Sequence, residues 1–316
     1  MVTAGLPVRG ACYGYEIRSE LEFGYLRLGG GEALEVSPGV PRDEPPGDLL
    51  RELRPPRFPT HVKLHADGAG YRMWVDGGGW FAIDPHAPKI VVPPEAEPVR
   101  REERLWGLPV LLCFLARGDL PLHAACVEID GKALLLAAPG RFGKTTLAAA
   151  FAAAGHRVLT EDLVCLRPGP PPSVVPGAAM LRVRLDVVDA FRIPGAKELL
   201  RDGDRSHLSL ASSRGTCDPV PLAGIAFLNE ADVDPRLEGV STTDVVRDLW
   251  TVSFKLPTNE DRARSFRAAA TLAASTTTWR LSRRLRLDEL GATLDCLVDA
   301  VRADHLKPDS VRCSSG

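Results

Sequence analysis

Over the first 95 residues, apolar and polar positions alternate in short runs separated by turn-forming residues. The runs 13–18, 25–28, 61–65, 71–75 and 80–83 read as strands, because a period of two presents one apolar face to a core. Between them lie Gly29-Gly30-Gly31, the proline-rich stretch 38–59 and Gly77-Gly78-Gly79, which read as turns and loops. Residues 1–100 are therefore expected to form a small β-rich N-terminal domain, with Trp74 and Trp80 in its core. The texture changes near 93–101. EERLWGLPVLLCFLAR (102–117) has acidic residues early and apolar residues on most faces, which predicts one buried helix opening a second domain despite Pro109. Two strands follow, LPLHAACVEID and KALLLAA, then a glycine turn, an alanine-rich helix TTLAAAFAAAG and a strand HRVLTEDLVCL. Further strands are expected at 181–185 and 222–228, and helices at 261–274 and 287–301. In the last of these Leu287, Leu290, Leu294, Leu297 and Val301 recur at helical spacing. The expected plan is α/β: a mixed-sheet domain over 101–302, the β-rich domain before it, and a polar tail over 303–316.

Composition narrows the function. The 316 residues carry 39 Lys and Arg against 41 Asp and Glu, a net charge of −2, with 45% hydrophobic and 25% charged residues. That balance excludes disorder throughout and leaves no overall positive field to gather phosphates along the molecule, so nucleic acid is not an expected partner. The longest uncharged, mainly apolar run, 105–116, has 12 residues and contains Gly107 and Pro109. A membrane span needs about 18. The N-terminus also lacks a basic stretch followed by an apolar block, so the expectation is a cytoplasmic protein without a membrane partner. Seven scattered cysteines, none in a C-x-x-C pair, argue against a disulfide framework or a zinc site. His61, His65 and His86 sit among turns and charges with no metal-ligand spacing.

The chemistry concentrates in one stretch. Ala138-Pro139-Gly140-Arg141-Phe142-Gly143-Lys144-Thr145, with Thr146 following, matches the phosphate-binding pattern G-x-x-x-x-G-K-[ST] except for alanine at the first glycine. A strand precedes it and a helix follows, so backbone N–H groups at the helix start would face an anion. Gly140 and Gly143 allow close approach; Lys144 would reach the phosphates and the Thr145 hydroxyl a magnesium ion. Ala138 and the bulky Phe142 are departures from the pattern. After the helix, GHRVLTED ends a strand in adjacent carboxylates, Glu161 and Asp162, which suits one group for a metal and one for the proton of an attacking nucleophile. Neighbours on a regular strand point to opposite faces, so both can serve only at a strand end or a bend. Asp162 is assigned to the metal with Thr145, and Glu161 to the base. Arg182 and Arg184 would share one strand face, and Arg280, Arg283, Arg284 and Arg286 read as a solvated basic face.

The stretch 120–167 resembles the catalytic core of the HPr kinase/phosphorylase family, in which a histidine-bearing strand, a second strand, a phosphate loop, a helix, G-H-R and an aspartate pair follow in that order. It is most similar to the divergent ATP-binding relatives of that family, some of which act as peptide kinases in clusters such as those for lasso peptides. The resemblance implies a P-loop, HPr kinase-like core binding ATP and Mg2+, with Lys144 and Thr145 in the nucleotide and magnesium roles, His123 near the phosphates and Glu161 with Asp162 as the catalytic pair. It also favours an assembly of identical copies. Glu161 replaces the family's aspartate, and the glycine-rich E-x-R-G-x-G segment is missing, so HPr is not the expected acceptor. The leading expectation is a kinase transferring the γ-phosphoryl group to a hydroxyl of a peptide, protein or small molecule. The alternative is a regulatory or scaffold module that binds nucleotide and transfers nothing.

Overall fold

Eight strands pair into the first sheet: β1 (Val8–Cys12), β2 (Tyr15–Ser19), β3 (Ala33–Pro38), β4 (Leu49–Leu53), β5 (Val62–Asp67), β6 (Gly70–Val75), β7 (Gly79–Asp84) and β8 (Lys89–Val92). Their order is β1-β2-β3-β8-β7-β6-β5-β4, parallel at β2–β3 and β3–β8 and antiparallel elsewhere. The computed structural model describes residues 6–39, 47–54, 60–94, 97–140, 142–210 and 215–304. Alternation sets the faces: Met73, Val75, Phe81 and Ile83 are buried, while Trp74 and Trp80 stand opposite each other on the other face, against His61 and His65. These tryptophans are thus not core residues, because the strand register gives the inner face to their neighbours. The run 25–28 is not a strand either; Arg27 and Leu28 make only single bridges, to Ala11 and Thr216.

The expected single helix over 102–117 is two, α1 (Pro98–Leu105) and α2 (Leu108–Ala116). The chain breaks at Trp106–Gly107, and Pro109 falls in the first turn of α2, where its missing N–H costs nothing. Both helices pack in the same apolar cluster as the first sheet, with Trp106, Leu111 and Phe114 against residues such as Tyr15 and Phe81. Glu102, 3% exposed, accepts the backbone N–H of Gly24 and Tyr25 and the indole N–H of Trp106, which ties α1 to the connection between β2 and β3.

The second sheet is built from β9 (Leu120–Ile129), β10 (Lys132–Ala137), β11 (Arg157–Thr160), β12 (Leu163–Arg167), β13 (Ser173–Val175) and three later strands. The helix α3 (Lys144–Ala153) lies between β10 and β11. A small three-stranded sheet, β14 (Met180–Arg184), β15 (Lys197–Asp202) and β16 (Arg205–Ser209), follows with the short helix α4 (Leu185–Ala190). The chain then returns through β17 (Val220–Glu230), β18 (Arg236–Gly239), α5 (Thr242–Val252), α6 (Asn259–Ser275), β19 (Thr277–Arg283) and α7 (Leu290–Asp304). β9 and β17 change partner along their length, so β10, β9, β12, β13 and β17 form a closed ring of pairings, extended by β19 and β18. The architecture is mixed α/β with several mixed sheets. No helix among the described residues is long and apolar enough to cross a membrane. Cys12, Cys113, Cys126, Cys165, Cys217 and Cys296 are free thiols, and Cys313 lies outside the described residues.

Candidate functional site

Strand register assembles the site. Antiparallel pairing sets Ala137, the last residue of β10, opposite Ala124 of β9, so the loop that leaves β10 emerges beside the preceding residue, His123. On its other side His123 pairs with Leu163, the first residue of β12. The expected strand 156–166 is therefore two strands, β11 and β12, and Glu161 and Asp162 form the bend between them. This bend lets two successive carboxylates serve one site, which a regular strand could not do. It is held by Thr160, whose hydroxyl donates to the Leu163 carbonyl at 2.7 Å, and by the Tyr13 hydroxyl, which donates to the same oxygen at 2.9 Å.

Gly143 caps α3 with φ 77°, the left-handed conformation that glycine adopts without a Cβ penalty. The departures from the glycine pattern are accommodated on the core side: Ala138 is 2% exposed within the apolar cluster under α3, and Phe142 packs on the same cluster. Pro139 and Gly140 are exposed, Thr146 lies in the first turn of α3, and Arg141 lies outside the described residues. The Lys144 ammonium donates to the carbonyls of Ala138 and Pro139 at 2.9 and 3.0 Å and meets His123 Nε2 at 3.0 Å. An ammonium can only donate, so Nε2 accepts and the ring proton sits on Nδ1, which faces Asp162 Oδ1 at 3.2 Å. Lys144, His123 and Asp162 thus form one line of contacts.

Glu161 belongs to a second line. Its Oε1 accepts the Thr145 hydroxyl at 2.8 Å and its Oε2 accepts the Arg182 backbone N–H at 2.7 Å. Burial pushes the Glu161 carboxyl up to about 7, against the opposing charge of Arg182. Asp162 responds in the other direction: against the desolvation that would raise it, the hydrogen bond and charge of His123, with Arg182 and Lys144, hold it down at about 2. Desolvation lowers Lys144, opposed by Asp162 and Glu161. Two adjacent carboxylates with affinities for protons pushed apart are the arrangement that lets them take different roles.

One further residue approaches the loop. Arg283, at the end of β19, is 2% exposed, and its Nη2 lies 3.5 Å from the Phe142 carbonyl. Read as part of a solvated basic face, it is instead interior, and the signal was present in the alternation of Trp279, Leu281 and Arg283, which put it on the face that packs under α3. The other three arginines of that run pair with carboxylates: Arg280 with Asp248, Arg284 with Asp232, Asp234 and Glu289, and Arg286 with Asp288 and Glu289.

Neither a protein-family model nor a curated protein sequence matches the chain. Among solved structures it is similar to the Hpr(Ser) kinase/phosphatase from Coxiella burnetii, with 12% identity over 58% of this chain and 95% of that one and a TM-score of 0.29. A likeness this distant carries no weight for function, which rests on the site itself.

Proposed function

We propose that the protein is an ATP-dependent phosphotransferase with a hydroxyl acceptor, and that residues 138–146 hold the nucleotide. The observation that carries this reading is the convergence of two polar lines, Thr145–Glu161 and Lys144–His123–Asp162, at the start of α3. The donor set suits magnesium-ATP: a helix N-terminus and an ammonium for phosphate charge, and a hydroxyl beside a carboxylate for a hard cation that prefers oxygen ligands. When bound, magnesium-ATP supplies the γ-phosphoryl group and offsets its charge. Lys144 would exchange its loop carbonyls for phosphate oxygens, and Thr145 with Glu161 would hold the metal. Asp162, half exposed at the opening, would accept the acceptor's hydroxyl proton while His123 Nδ1–H orients it. This reverses the roles first assigned to the two carboxylates, because the hydroxyl expected on the metal bonds Glu161 and not Asp162. The acceptor is a hydroxyl of a peptide, protein or small molecule other than HPr.

The test is transfer from γ-labelled ATP with magnesium, offered to HPr and separately to an extract of the source cells. Label on a hydroxyl-bearing component of the extract but not on HPr is the expected result. Tight ATP binding with no transfer to anything would replace the kinase reading with a non-catalytic nucleotide-binding module.

A further inference from the structure

We propose that Arg283 is a phosphate-binding residue of the loop 138–145, supplying a cation to the anion held there; this rests on the nucleotide reading above. Topology brings it to the right edge. β10, β17 and β19 are mutually parallel in sequence, so their C-terminal ends share one edge of the sheet, the edge from which the loop leaves β10. Arg283 closes β19 opposite Glu230, the last residue of β17.

The guanidinium there has almost no compensation of its own. At 2% exposure it forms no ion pair within 4.0 Å among the described residues; Nη1 donates to the Arg284 carbonyl at 3.1 Å, Nη2 reaches the Phe142 carbonyl only at 3.5 Å, and Nε has no hydrogen-bond partner. A buried charge is costly unless it is paired, so an arginine kept in this state calls for an anion from outside the chain. The loop is shaped around it. A Cβ on Gly143 would come within 2.8 Å of Nη2, so glycine at this position both turns the chain into α3 and leaves room for the guanidinium. Arginine suits the role because its planar fork matches phosphate oxygens and its charge survives burial. Burial lowers its proton affinity, opposed by the charge of Glu230. On this assignment Lys144 and Arg283 approach the phosphates from the two sides of the loop: Lys144 from the β9 side through His123, and Arg283 from the β19 side.

The experiment uses the full chain, with calorimetric titration of magnesium-ATP, magnesium-ADP and adenosine, and thermal unfolding without ligand. In Arg283→Met both phosphorylated ligands should weaken at least tenfold, adenosine should be unaffected, and the ligand-free Tm should rise because an uncompensated buried charge is gone. Arg283→Lys, which keeps charge without the fork, should recover part of the ATP affinity; it also serves if the methionine variant fails to fold. Magnesium-ATP affinity equal to wild type in either folded variant overturns the assignment and leaves Arg283 a brace for the Phe142 carbonyl. A wild-type chain that binds no magnesium-ATP overturns the nucleotide reading itself, and this assignment with it.

Discussion

Lys144 makes three contacts to groups that are all within its own loop or on the adjacent strand, none of them a carboxylate. Removing its ammonium takes one donor from the buried Ala138 carbonyl and from the Pro139 carbonyl of the loop, and takes away the charge expected on phosphate. Lys144→Ala should therefore keep the fold and weaken magnesium-ATP binding by roughly 100-fold or more, read by calorimetry. The carboxylates should separate. Asp162→Asn should lower turnover by about 100- to 10,000-fold with nucleotide affinity largely kept, whereas Glu161→Gln should shift the magnesium dependence; equal effects in both assays would undo the division of roles. Glu161 also sets a pH dependence. Its affinity for a proton is raised from 4.5 to about 7 on folding, so the stability it contributes is complete below about 4.5 and is lost as pH rises through 7, a change of about 3 kcal/mol. Wild-type Tm without metal should fall across that window, and Glu161→Gln should flatten the profile. At this scale the sequence carried a great deal: Lys144, Thr145, Glu161, Asp162 and His123 all converge. It could not reveal which carboxylate meets Thr145, because that depends on the bend after Thr160 and on Tyr13, 147 residues before it in the chain.

Among the elements, the junction of loop and α3 is the most exposed to small changes. Gly143→Ala would place a Cβ in the left-handed region, at a cost of roughly 1–2 kcal/mol, and press it against Arg283 Nη2. A lowered Tm together with weaker nucleotide binding is the expected outcome, measured by thermal unfolding and titration; a silent substitution would mean that the loop adjusts freely. The elements read from local pattern were those whose determinants are local. β10, α3, α6 and α7 follow from an apolar run or a helical period within about 15 residues. The single helix expected over 102–117 divides because Gly107 and Pro109 interrupt an otherwise apolar run, Gly107 capping α2 and Pro109 entering its first turn. β13 and the β15–β16 hairpin lack such a pattern: β13 has three residues, and KELLRD and RSHLS carry too few apolar positions to show an alternation.

For the molecule as a whole, Arg27, bridged to Ala11 of β1, joins Tyr13 in tying the first sheet to the site. It is 1% exposed and donates to the carbonyls of Gly177, Val158 and Leu159, the last two within β11, the strand that leads to Glu161. Arg27→Leu should leave those carbonyls short of donors at about 1–3 kcal/mol each, lowering Tm and slowing turnover although Arg27 touches no nucleotide group. Retained turnover in a destabilised variant would show that the bend is held without it. A fragment beginning at residue 97 should likewise fail to remain soluble, since α1 and α2 would lose the sheet that covers Leu111 and Phe114; limited proteolysis followed by titration checks this. The ring of pairings through β10, β9, β12, β13 and β17 has a consequence for how such a protein can diversify. A residue gained or lost within any ring strand would have to be absorbed by every other strand in it, whereas β14–β16 and α4 hang outside the ring beside Glu161. On the proposed phosphotransferase reading, new acceptors would be reached by lengthening the connections around α4 and β15, because β14 itself donates to Glu161 and buries Leu181 and Val183 in the core under α3.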